Sequence, residues 1–96
     1  MVLVAADERD RVVGYIDLEK SGHIDHLFCA PEAVGQGIAS RLYDATEAAA
    51  RQRGIERVFV EASEPARRLF ERKGFTVLTR QNLVTGLIVN RLSRST

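Results

Sequence analysis

With 96 residues the chain is one domain, 1–96, or a fragment of one. Apolar side chains at 45% against 28% charged exclude a disordered chain. Fourteen basic and thirteen acidic side chains nearly cancel, so no general basic field exists for nucleic acid or membrane, and any anion site must be local.

In chain order, Val2 to Ala6 and Val12 to Leu18 are apolar segments split by Asp7-Glu8-Arg9-Asp10-Arg11, the pattern of two antiparallel strands and a hairpin. The run before Asp7 is too short for a signal-peptide core, and no apolar run is long enough to span a bilayer. The single cysteine, Cys29, permits no internal disulfide; the expected compartment is the cytoplasm. After Glu19-Lys20-Ser21-Gly22, the segment His23 to Ala30 reads as a third strand ended by Pro31. Strict alternation there predicts Ile24, His26 and Phe28 on one side, with His26 a core histidine, and Asp25, Leu27 and Cys29 on the other.

From Gly37 the period changes. Ile38, Leu42, Ala45 and Ala49 recur at helical spacing, Arg51 and Arg53 occupy the last turn, and Gly54 is placed as the C-terminal cap. Val58 to Ala62 reads as a central strand. Ser63 is placed to cap a second helix with Pro65 in its first turn, and Gly74 to stop it. Phe75 to Leu83 and Leu87 to Leu92 read as a hairpin around Val84-Thr85-Gly86. The predicted fold is α/β (α+β), with order βββ-α-β-α-ββ and a mixed, mainly antiparallel sheet.

The stretch Leu27 to Ser40 carries the chemistry. A strand ends at a proline, crosses a loop holding Gly35 and Gly37, and opens into a helix. Glycines let the backbone adopt unusual dihedrals and let a ligand approach closely. Successive N–H groups backed by a helix N-terminus then suit a phosphate or pyrophosphate. The loop lacks the Gly-Lys-Ser/Thr of a Walker A motif and the third glycine of the dinucleotide fingerprint.

The segment Pro31-Glu32-Ala33-Val34-Gly35-Gln36-Gly37-Ile38-Ala39 resembles the GNAT acetyl-coenzyme A signature, Gln/Arg-x-x-Gly-x-Gly/Ala. The resemblance continues through Glu61-Ala62-Ser63 and Ala66 to Phe75, similar to the family's second cofactor-contacting helix, which typically ends in Gly-Phe. It covers Val2 to Leu92. It implies an acetyl-CoA-dependent N-acetyltransferase acting on an amine of a small molecule or protein, with no metal. The cofactor would be held by Val34, Gly35, Gln36, Gly37, Ile38, Ala39 and Ser40, by the backbone of Leu27, Phe28 and Cys29, and by Arg67, Phe70 and Arg72. Val34 departs from the family pattern, standing where Gln or Arg is usual.

By the same resemblance Asp25 is the candidate base, at a strand position where histone-acetylating members carry glutamate; the other reading is a solvated or salt-bridged strand residue. Phe70 stands where many members carry a tyrosine acid and can donate no proton. Cys29, Tyr15 and Tyr43 read as packing residues. Arg67, Arg68, Arg72 and Lys73 form a basic helix patch that is equally a solvated face. GNAT domains usually begin with a further strand and two helices before the segment matching Val2. An uncovered sheet face is therefore expected, and with it a homodimer. The competing reading is an inactive acyl-CoA-binding or dimerisation module of the same fold. An RNA-binding domain lacks its basic stripe and paired strand aromatics.

Overall fold

The computed structural model describes residues 1–84 and 86–96. Among them the strands are β1 (Val2–Ala6), β2 (Val12–Leu18), β3 (His23–Cys29), β4 (Arg57–Ala62), β5 (Thr76–Val84) and β6 (Leu87–Ser95), and the α-helices are α1 (Ile38–Gln52) and α2 (Glu64–Arg72). One sheet holds all six strands in the order β1-β2-β3-β4-β6-β5. Only β3 and β4 pair in parallel, joined through α1, as a parallel neighbour requires a long crossover. The mixed, mainly antiparallel sheet and the order βββ-α-β-α-ββ are as the sequence predicts. The last two strands run from Thr76 and to Ser95 rather than from Phe75 and to Leu92, and the expected turn falls on Thr85, outside the described residues.

Local chemistry explains the element ends. Between β1 and β2 the Asp7 carboxylate accepts hydrogen bonds from the N–H groups of Arg9 and Arg11 at 2.9 and 3.0 Å, closing the hairpin. Ser63 caps α2, its hydroxyl accepting from the Ala66 N–H at 3.4 Å.

Both helices lie on one face of the sheet. Ile16, Leu18, Ile24, Val58, Val60 and Leu92 point into the core they cover. Tyr43 of α1 meets Phe70 of α2 edge-on at 6.0 Å, and each meets Phe75, at 5.3 and 5.0 Å. Burying one such ring contributes about 1.5–3 kcal/mol, and each pair geometry about 0.5–1.5 kcal/mol more. Tyr43 is thus a packing residue, its hydroxyl reached by Arg94 at 3.4 Å.

The other face is bare. Val4 opposes Tyr15, and Tyr15 opposes and stacks on Phe28 at 5.4 Å; all three are exposed. Here one expectation is corrected. Leu18 pairs with Ile24 but Ile16 pairs with Leu27, so β3 carries one extra residue, a bulge at Asp25-His26. The bulge returns Leu27 to the same face as Ile24 and sends Phe28 to the bare face. His26, expected in the core, is exposed.

Candidate functional site

The sheet opens at one place. Parallel pairing between β3 and β4 is confined to His23↔Phe59 and Ile24↔Val60, although β3 continues to Cys29 and β4 to Ala62. The bulge begins where the pairing ends, and a bulge bends and twists its strand away from a partner. Beyond it, the edge of β3 from Leu27 to Cys29 faces a gap instead of a neighbouring strand. Backbone N–H and C=O groups left without a ladder partner need another one, which water or an extended ligand can supply.

At the far end of β3 the chain forms a short 3-10 turn, Pro31–Ala33, then Val34 in extended conformation, then the glycine loop. Gly35 and Gly37 have φ of 88° and 77°, a left-handed conformation that any other residue adopts at a cost of about 1–2 kcal/mol. Among the described residues, nothing lies within 4 Å of where a Cβ would stand at either glycine, so the space above the loop is open. Gly37 is the N-cap of α1 and brings no side chain to its first amides. Those N–H groups have no partner within the helix. They and the helix dipole make a positive end at Ile38, Ala39 and Ser40.

A third glycine, Gly14, anchors this loop. A Cβ at Gly14 would stand 2.8 Å from the Phe28 carbonyl oxygen and 3.1 Å from side-chain atoms of Ile38 and Leu42. The first turns of α1 therefore rest directly on β2. The only sequence signal was a glycine inside an apolar strand, which marks a close approach. Beside the loop a cavity of about 830 Å³ runs to the β1–β2 turn, bordered by Arg9, Gln36 and Arg41. The Arg9 and Arg41 side chains have no acidic partner among the described residues, and they add positive charge next to the loop.

Titratable groups gather on the bare face where the strands part. Asp25 and His26 pair at 3.0 Å, and both are exposed. His23 donates to Glu61 across the strand pair at 2.9 Å and contacts Glu19 from the β2–β3 turn. Burial alone would lower the His23 pKa, but the hydrogen bonds and charges of Glu19 and Glu61 outweigh it and raise the pKa. Glu19, His23 and Asp25 bring one ligand atom each within 4.8 Å of the others, as do Asp17, Asp25 and His26, the nearest approach to a metal donor set among the described residues. Glu61 and His23 were not singled out from sequence as site residues. The period-two pattern of β4 places Glu61 opposite Val58 and Val60, but its meeting with β3 is a long-range fact.

The α2 residues stand apart. Arg67 is held by Glu64 at 3.4 Å and by Glu71. Burial would lower its pKa, but the two carboxylates raise it. Phe70 is buried against Tyr43 and Phe75. Arg72 is exposed. Among the described residues none of the three side chains is hydrogen-bonded to the glycine loop.

Within the mainly antiparallel sheet the two parallel strands part, and a glycine loop and helix N-terminus stand at the end of one of them. The description "Acetyltransferase (GNAT) domain" matches residues 1–92, and the chain belongs to that family. Solved structures agree. An acetyltransferase from Bacillus cereus superposes with a TM-score of 0.90 at 17% identity, over 100% of this chain and 72% of its own. A GCN5-related N-acetyltransferase from Rhodopseudomonas palustris gives 0.87 at 29% identity, over 100% and 61%. The NatC complex bound to Gag peptide and CoA gives 0.84 at 19% identity, over 99% and 70%. A search of curated proteins found no match. No helix among the described residues is long and apolar enough to cross a membrane.

Proposed function

We propose that this GNAT domain is an acetyl-CoA-dependent N-acetyltransferase that passes the acetyl group directly to an amine. The observation that carries the reading is the glycine loop, open above Gly35 and Gly37, at the end of the strand whose edge is unpaired. The residues fit the cofactor. The amides from Gly35 to Ser40 would take the pyrophosphate, so Val34 costs a side-chain contact but no backbone donor. The backbone of Leu27, Phe28 and Cys29 would hold the pantetheine arm as a strand partner and direct an N–H at the acyl oxygen as charge develops there. Arg67 and Arg72 are the α2 cations assigned to the cofactor phosphates, and Phe70 lies beneath them as packing.

Bound acetyl-CoA supplies an activated acyl carbon and a thiolate leaving group. Asp25, at the mouth of the opening, accepts the proton from the attacking nitrogen, directly or through one water. A new N–C bond forms and the C–S bond breaks. Phe70 donates no proton, so the departing sulfur takes one from solvent. We assign the protein to the cytoplasm, where the Cys29 thiol stays reduced. We also assign it a homodimer formed through the exposed Val4, Tyr15 and Phe28 of the bare face.

Calorimetric titration with acetyl-CoA and coenzyme A tests the cofactor, with micromolar affinity expected; a folded protein giving no heat overturns the reading. Asp25→Asn should lower turnover of acetyl-CoA by about a hundredfold or more while leaving coenzyme A binding intact. The buried Phe70 in place of a tyrosine favours a second reading, an inactive acyl-CoA-binding or dimerisation module. Binding without turnover on any amine would establish that one.

A further inference from the structure

The bare face carries a groove outside the residues assigned to the cofactor. Its volume is about 490 Å³, and His23, Arg57, Phe59, Glu61, Leu78 and Arg91 line it. One end lies where β3 and β4 part and is acidic, with Glu61 there and Asp25 and Glu19 close by. The other side is basic. Arg91 stands directly across the β4–β6 ladder from Glu61. Such a cross-strand pair of opposite charges would ordinarily join. Here Glu61 is taken by His23, and Arg91 has no hydrogen-bond or ion-pair partner among the described residues. Arg57 donates only to the neutral hydroxyls of Ser93 and Ser95, at 2.6 and 3.2 Å. Two guanidinium groups in one groove thus lack an anion. Phe59, stacked on His23 at 5.0 Å, and the exposed Leu78 make the rest of the wall apolar.

We propose that this groove binds the acceptor, and that the acceptor is a free amino acid with an apolar side chain. Its ammonium group would sit among Asp25, Glu61 and Glu19, its carboxylate at Arg91 with Arg57 behind, and its side chain on Phe59 and Leu78. The inference rests on the acetyltransferase reading and narrows it. In an α-amino acid the two charged groups share one carbon, and directly opposed strand residues are about 5 Å apart at Cβ, so one small molecule reaches both Glu61 and Arg91. A protein N-terminus or a lysine side chain has no carboxylate beside its amine. Either would leave both arginines unmatched.

The test is binding of L-leucine, L-leucinamide and 4-methylpentanoate to the coenzyme A-saturated protein, read by NMR titration. Leucine should bind at least about tenfold more tightly than leucinamide, the effect of losing one charge-assisted hydrogen bond. Removing the amine, as in 4-methylpentanoate, should weaken binding similarly. Arg91→Gln should abolish the preference for leucine over leucinamide, and Arg91→Lys should keep it, with thermal melting showing both variants folded. Equal affinity for leucine and leucinamide, no leucine binding at millimolar concentration, or a preference that survives Arg91→Gln overturns the proposal. Coenzyme A binding is recorded on the same samples and on free protein. Its absence counts against the acetyltransferase reading, whereas the leucine contrast bears on the groove alone.

Discussion

His23 holds two carboxylates at once, Glu61 from β4 and Glu19 from its own turn, and so links the turn before β3 to the strand beside it. Its pKa is raised above the ordinary 6.5. A raised folded-state pKa gives stability that is full below pH 6.5 and is lost as pH climbs through the folded value. Glu64 behaves oppositely. Hydrogen bonds from Arg80 and Asn90 pull its pKa from 4.5 to about 2, so its stabilisation is full above pH 4.5 and is lost as pH falls toward 2. Urea denaturation across pH should therefore place maximum stability between 4.5 and 6.5, and Glu61→Gln should flatten the alkaline side of the profile. Asn90 is buried, donating to the Ala62 carbonyl at 3.3 Å and to Glu64 at 2.8 Å. Asn90→Ala should cost about 1–3 kcal/mol in the same experiment, since it strands buried partners. These partnerships were not readable in the chain, because 38 residues separate His23 from Glu61 and 26 separate Asn90 from Glu64.

At the scale of elements, α1 owes its start to Gly37 and its position to Gly14. Gly14→Ala has a backbone oxygen at 2.8 Å to displace, and it should destabilise the fold by about 1–3 kcal/mol. Because the helix would lift with its loop, coenzyme A affinity should fall as well, which calorimetry would record. Ser63→Ala removes the α2 cap and should cost about 0.5–2 kcal/mol, with a smaller loss of coenzyme A affinity than Gly14→Ala causes. A larger loss of affinity from Ser63→Ala than from Gly14→Ala would reverse this assignment. Local signals located both helices well: helical periodicity, Ser63 before Pro65, and the glycines at 37, 54 and 74 each act within a few residues. The bulge in β3 was invisible for the opposite reason. Its seven residues alternate plausibly in either phase, and only pairing with β2 selects the one that puts Ile24 and Leu27 on the same face.

Across the whole molecule, the two faces of the sheet have different fates. The helix face holds the core, while Val2, Val4, Tyr15 and Phe28 remain exposed on the other. Sedimentation equilibrium at micromolar concentration should give a dimer, and Val4→Lys should shift it to monomer. A wild-type monomer would remove the dimer from the proposal. The proposed acceptor groove begins at His23 of β3 and runs toward β4, β6 and β5, whereas Val4, Tyr15 and Phe28 are paired across β1, β2 and the far end of β3.

The fold class, the order of elements and the glycine loop were determined by sequence alone, because periodicity, caps and turn residues act over short spans. The residues proposed to hold the cofactor, Val34 to Ser40, are likewise contiguous, so the chain delivers them together wherever it folds. Only tertiary structure decided where β3 leaves β4, that His26 is exposed, and that Glu61, His23 and Arg91 share one surface. Those outcomes depend on strand register and on the crossover through α1, where a shift of one residue exchanges the faces of a strand.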